Sequence, residues 1–305
     1  MSTSGSRTSE TAAAPAEGTI AVGDCIELMN GWPAESVDLV FADPPYNIGF
    51  EYDRYEDDRD DDDYVNWTRH WIEASVRVLK PTGSMFVLIG DEYAAETRLI
   101  LKDLEKEGRL LFRNWIIWHY TFGQNCRAKF NRSHAHLFYA VGSAAVRAKR
   151  PRDGGVEYVP DFKASDPPFA FNRDAIAVPS ARQTTYGDSR ANPDGKLPDD
   201  TWYLRPQNAE GDFFRPEEDT WYLSRLCGTF KEREGWHPCQ LPESLLERIV
   251  QLASNPDDLV LDPFAGSGTT LAVAQRLGRQ WVGCELSEDY AERALERVER
   301  VGEEG

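Results

Sequence analysis

The chain has 305 residues, 41% of them hydrophobic, and a formal net charge of −18 at pH 7. That length can bury a large α/β core, with or without an insertion, and no stretch approaches the roughly 18 consecutive apolar residues of a membrane span. The acidity argues at first against nucleic acid, yet eight basic residues and no acid lie from Arg113 to Arg152, so one face can be locally positive.

Residues 1–18 are rich in Ser, Thr and Ala, lack the apolar core of a signal peptide, and read as a disordered tail. The chain then alternates short apolar runs with helical patterns, as in a parallel-rich sheet covered on both faces. Residues 19–22 (TIAV) and 37–42 (VDLVFA) read as strands, 64–79 as a helix stopping at Pro81 and Gly83, and 84–90 (SMFVLIG) as a third strand. A helix over 92–107 leads to strands at 111–120 and 134–142, joined by the polar basic loop 123–134, in which Arg127, Lys129 and Arg132 interleave with Phe130 in a manner suited to phosphate. From 151 to 235 no long helical period survives, and DTWYL occurs at 200–204 and again at 219–223, read as core in preference to base-stacking surface. Regularity returns with a helix over 241–254, a strand at 258–264, a helix at 269–278, a strand at 280–286 and a charged helix at 288–300. That makes seven strands in all.

Five scattered cysteines without a CxxC pair fit a reducing compartment, so a cytoplasmic protein with no membrane association is expected. His237 with Cys239, and Cys126 with His134 and His136, lack the spacing of a four-ligand zinc site, so no metal is expected. The run at 51–63 holds nine acids and two arginines and reads as a solvated, mobile loop at a site rim.

Two motifs carry chemistry. LDPFAGSGTT (261–270) is a strand, a turn built on Gly266 and Gly268, and a helix start at Thr269 and Thr270; Glu285, 19 residues after Gly266, ends the next strand and can accept both hydroxyl hydrogens of a ribose. Asp262, next to Phe264 in that loop, would repel a pyrophosphate but suits a cationic ligand end, so S-adenosylmethionine is the expected cofactor. The second motif is Asp43-Pro44-Pro45-Tyr46 at the end of a buried strand. An exocyclic base amine is a poor nucleophile because its lone pair is delocalised; a carboxylate and a backbone carbonyl aimed at its two hydrogens draw it toward tetrahedral geometry. The prolines lock the backbone so that a carbonyl points into a pocket, and the tyrosine offers a face on which an extruded base can stack.

The tetrad followed far downstream by FAGSGTT resembles the amino-group DNA methyltransferases, and the motif order resembles their β class. The resemblance covers about residues 19 to 300. It implies a seven-stranded Rossmann-like methyltransferase sheet, circularly permuted, with an irregular target-recognition insertion. The implied units are a catalytic half over 19–150, an insertion over 151–235 and a cofactor-binding half over 236–305. It further implies that Asp24 and Cys25 bind the cofactor adenine, that Asn47 belongs to the cofactor site, and that His237, Pro238 and Gln240 meet its methionyl part, although Cys239 and Leu241 depart from the family's Thr and Lys. The implied activity is site-specific adenine-N6 methylation of double-stranded DNA, with cytosine-N4 methylation and an inactive DNA-binding protein as rivals. A homodimer and a cognate restriction endonuclease stay open as partners.

Overall fold

The computed structural model describes residues 16–120, 127–128, 130, 132–151, 154–184, 186–202, 233–237 and 239–304. Lys129, Pro238 and the second DTWYL copy lie outside the described residues.

All seven expected strands form. They are β1 (Thr19–Val22), β2 (Val37–Ala42), β3 (Leu79–Ile89), β4 (Leu110–His119), β5 (His134–Gly142), β9 (Leu259–Asp262) and β10 (Gln280–Glu285). A two-residue edge strand, β8 (Thr201–Trp202), comes from the first DTWYL copy and pairs in parallel with β4. A separate hairpin joins β6 (Val146–Lys149) to β7 (Glu157–Pro160). The main sheet runs β1-β10-β9-β2-β3-β5-β4-β8. Strands β1, β10, β9, β2 and β3 are parallel, whereas β5 is antiparallel to both β3 and β4.

β9 and β2 come from opposite ends of the chain and lie side by side, Leu39 opposite Val260 and Val40 opposite Leu261. From β2 the chain crosses to β3 on one side, and from β9 it crosses to β10 on the other. Their carboxyl ends therefore flank the point where the winding reverses, the place where open α/β sheets bind ligands.

Helices cover both faces: α1 (Cys25–Gly31), α2 (Asp61–Val78) and α3 (Ala94–Lys106) on one, α5 (Glu243–Ala253), α6 (Thr269–Arg276) and α7 (Glu288–Glu304) on the other, while a short α4 (Ala181–Thr184) lies outside these layers. The period-2 alternation of a strand sorts the core: Leu39 and Phe41 pack with the α5 and α6 side chains, Val40 and Ala42 with Met29, Trp71 and Ile72. Helix α1 escapes the sequence reading because it is only seven residues long, although its cap is legible: Asp24 Oδ1 accepts the N–H of Ile26 at 2.8 Å. The strand after α2 begins at Leu79, five residues earlier than expected, because Leu79 pairs with Val37 before a register shift lets Ser84 meet Leu39.

The described part of 151–235 is partly docked on the core. Asn172 Nδ2 donates to the carbonyls of Gln251 and Ser254 at 3.0 and 2.8 Å, and Phe169 and Ile176 share the cluster of α5.

Candidate active site

At the end of β2 the backbone turns out of the sheet. Tyr64, buried in α2, donates its hydroxyl to the Pro45 carbonyl at 2.6 Å. Among the described residues no hydrogen bond to the Pro44 carbonyl is present, and Pro44 lines the cavity. Tyr46 Oη donates to Asp43 Oδ1 at 2.8 Å, which fixes the carboxylate within the tetrad. Burial and the Asp43 charge push the Tyr46 hydroxyl well above its ordinary range, so it stays protonated. The Tyr46 ring lies against Gly90, where an added Cβ would stand 3.1 Å from Cδ2.

The glycine turn faces this corner across the strand pair. Asp262 is buried and accepts the Phe264 N–H at 3.0 Å. Burial, with a smaller push from Glu285, raises its carboxyl to about 7. Gly266 adopts φ +48, and a Cβ there would lie 2.9 Å from His237 Nε2. Its N–H donates to Glu285 Oε2 at 2.8 Å, while the Ser287 N–H donates to Oε1 at 3.0 Å. Both carboxylate oxygens are thus oriented by backbone and keep further lone pairs for hydroxyl donors. Burial raises the Glu285 carboxyl above its usual value against those backbone donors. Burial also drives His237 down to about 4, so the ring is neutral, and it packs edge-on against Tyr290 at 5.0 Å. Gln240 is buried, its Oε1 accepting the Glu234 N–H at 2.9 Å. Phe264 sits edge-on to Trp67 and Trp71 at 5.7 and 5.3 Å.

One cavity of about 850 Å³ joins the two motifs. Asp43, Pro44, Pro45 and Tyr46 line it together with Asp24, Cys25, His237, Gln240, Asp262, Phe264, Gly266, Thr269, Thr270 and Glu285. Beyond the tetrad it extends to Tyr120, Arg132 and His134. A single space therefore runs from Glu285 to the corner at Asp43.

A model of the DNA methylase family matches residues 37–296, most of the chain. The chain belongs to this DNA methylase family. Among its relatives, the DNA adenine methyltransferase YhdJ of Escherichia coli strain K12 is 32% identical over 283 residues, 92% of this chain and 82% of that protein. The type II methyltransferase M.HpaI of Haemophilus parainfluenzae is 29% identical over 277 residues, 90% of this chain and 72% of that protein. Two solved structures share the fold. The M1.HpyAVI–SAM complex matches with TM-score 0.53 and 17% identity over 92% of this chain and 98% of that one; the cytosine-N4-specific PvuII DNA methyltransferase matches with TM-score 0.57 and 17% identity over 96% and 93%.

The chain is thus a DNA methyltransferase of the N6/N4 type, and S-adenosylmethionine, the methyl donor of that family, is its cofactor. The cavity fits that group. A buried carboxyl raised to about 7 gains from a cationic ligand, the missing Cβ of Gly266 lets the His237 ring close against the turn, and Glu285 presents an oriented acceptor pair. Cys25, whose buried thiol is pushed up to about 12, is an apolar wall and no nucleophile.

The geometry of the methylase places several of the expected residues away from the cavity or in other contacts. Asn47 does not line the cavity: its Nδ2 donates to Arg59 O and Tyr93 Oη, each at 2.9 Å, and its Oδ1 accepts the Arg59 N–H at 2.7 Å. Gly268 does not line it either. With φ +73 it opens α6 and packs under Ala294 of α7, whose Cβ would be 3.0 Å from an added Cβ. The acidic run stays mostly exposed at the cavity rim, as expected of a solvated loop, but it is anchored at one buried acid. Asp57 is buried and accepts the N–H groups of Asn47, Ile48 and Phe50 at 2.7, 3.1 and 3.0 Å, Asp60 caps α2, and Asp61 accepts from Tyr93 Oη. The basic segment is also less open than its sequence suggests. Arg132 is clamped by Asp91, at 2.6 Å, and by Glu92; Arg147 pairs with Asp161 at 3.2 Å and Lys149 with Glu157 at 3.9 Å, whereas Arg127 is exposed.

Sequence reasoning also missed residues that hold the site. Arg297 of α7, only 2% exposed, donates to Ser267 O at 3.1 Å and Thr269 Oγ1 at 2.9 Å and pins the glycine turn from behind. It reads in the sequence as one charge of a charged helix, and nothing local marks it. Tyr64 likewise reads as ordinary helix core.

Proposed function

We propose that this methylase modifies the N6 amine of an adenine extruded from double-stranded DNA at a specific sequence. The observation that carries the reading is the shared cavity, which Asp43 and Pro44 line together with Gly266 and Glu285. The choice of adenine is supported by the first tetrad residue, Asp43 where cytosine-N4 enzymes more typically carry Ser, and by YhdJ, a relative named as an adenine methyltransferase.

In this reading one amine hydrogen goes to Asp43 and the other to the Pro44 carbonyl, and the Tyr46 ring holds the base face-on. When bound, S-adenosylmethionine supplies an electrophilic methyl group on a positively charged sulfur. The Tyr46 hydroxyl keeps Asp43 in one rotamer, and the prolines keep the carbonyl aimed, so the acceptors need no reorganisation as charge develops on nitrogen. Asp43 is placed to take the proton that nitrogen sheds. Glu285, Asp24, Asp262, Phe264, His237 and Gln240 form the donor compartment, Thr269 and Thr270 its floor. Residues 151–235 with the basic loop 123–134 are assigned to target recognition. Arg127 is the described residue of that loop open to phosphate; Arg132 would have to exchange its two carboxylates for phosphate.

The test is a nucleoside digest of duplex DNA incubated with the protein and S-adenosylmethionine labelled in its methyl group. Label in N6-methyldeoxyadenosine is expected. Label in N4-methyldeoxycytidine alone would overturn the base assignment, and no label in DNA would overturn the reading as a whole.

A further inference from the structure

The acidic segment that leaves the tetrad has a built form that the reaction chemistry alone does not require. Ile48, Gly49, Phe50, Tyr52 and Asp53 all line the cavity. The root of this segment is fixed by Asp57, whose carboxylate gathers three backbone N–H groups within four residues of the tetrad. Its far side meets two other parts of the chain. Ser287 Oγ donates to Asp53 Oδ2 at 2.5 Å, and Tyr52 Oη lies 3.7 Å from Cys239 Sγ. Ser287 is buried, and its own N–H holds Glu285 Oε1. A chain of contacts thus runs from the tetrad, across the cavity wall, to the residue that orients the ribose acid. Arg54 Nε stands 3.7 Å from the same Asp53 oxygen.

We propose that residues 48–57 are a strap retaining the methyl donor, latched by Asp53 to Ser287, so that Asp53 is a positioning residue for donor binding; this rests on the donor-site reading above. The donor leaves or enters only when the latch parts. Losing one hydrogen bond to a carboxylate corresponds to about a tenfold change in an equilibrium constant.

The test measures S-adenosylmethionine binding by calorimetry and its dissociation by stopped flow, on the full chain, for Asp53→Ala, Ser287→Ala and the double variant. Each single variant is expected to raise the dissociation constant about tenfold, mainly through faster release. The double variant should be no worse than either single one, and Asp53→Asn, which keeps an acceptor, should recover most of the loss. A dissociation constant unchanged in Asp53→Ala, or losses that multiply in the double variant, would overturn the strap. The Asp53 side chain is 46% exposed, so Asp53→Ala leaves the core intact and decides alone should Ser287→Ala fail to fold. A wild-type chain that binds no S-adenosylmethionine would sink the donor-site reading itself, a different outcome from a wild type that binds and a variant that binds equally well.

Discussion

Replacing Tyr46 by Phe separates two jobs that the tyrosine performs. The ring, packed on Gly90, is kept, and only the hydroxyl that donates to Asp43 Oδ1 at 2.8 Å is lost. A hydrogen bond to a charged acceptor contributes about 1.5–3 kcal/mol, which as lost transition-state stabilisation is between roughly tenfold and a hundredfold in rate. The lower part of that range is expected, because the aromatic ring and both proline carbonyls stay in place. Steady-state turnover on a duplex at saturating donor reads the effect, and calorimetry on S-adenosylmethionine checks that donor affinity is unchanged. A substituted enzyme with full kcat would show that Asp43 needs no orienting hydroxyl and would refute the argument for a preorganised carboxylate. A loss confined to donor affinity would refute it equally, by placing the hydroxyl's effect at the wrong end of the cavity.

Three further outcomes follow from the same geometry. Gly266→Ala forces φ +48 on a residue with a Cβ and drives that atom to 2.9 Å from His237, so a stability loss of about 1–3 kcal/mol in urea, together with weakened donor binding, is expected. Asp57→Ala should cost roughly 2–4 kcal/mol, because it strands three backbone donors, whereas Asp58→Ala, on an exposed neighbour, should stay within about 0.5 kcal/mol; equal effects would mean that Asp57 anchors nothing. Asp262 is raised to about 7 by burial, so the stability it contributes without donor is full below about pH 4 and lost as pH rises through 7. A bound cation favours the ionised form, so donor affinity should weaken as pH falls below about 7, and Asp262→Asn should flatten that part of a calorimetric pH series.

The parts of the fold that sequence made legible are those where one local pattern had one cause. The apolar runs that became β2, β9 and β10 are buried on both faces, and the stripe Leu245, Leu246, Ile249 and Val250 in α5 faces the core. Prolines after a buried strand and glycines before a helix announce backbone that has left regular structure for a purpose, and both motifs did meet in one cavity. What stayed hidden depended on partners distant in sequence. Asp57 and Asp58 are adjacent identical acids, yet one is buried under three N–H groups and the other is exposed, because only the fold brings residues 47–50 back over Asp57. Arg132 reads as a phosphate ligand until β3 delivers Asp91 and Glu92 beside it, and Asn47, a neighbour of the tetrad in sequence, is bonded to Arg59 and Tyr93. Composition can report a charge, but which charge meets it is a property of the tertiary fold.

The central claim, that the corner at Asp43 activates a base amine beside a separately built donor compartment, is tested most directly by Asp43→Ala assayed twice on the same preparation. Methyl transfer to DNA should fall below detection while S-adenosylmethionine binds within a few-fold of the wild-type affinity, since Asp24, Asp262, Gly266 and Glu285 are untouched. Turnover at the wild-type rate in that variant would contradict the account.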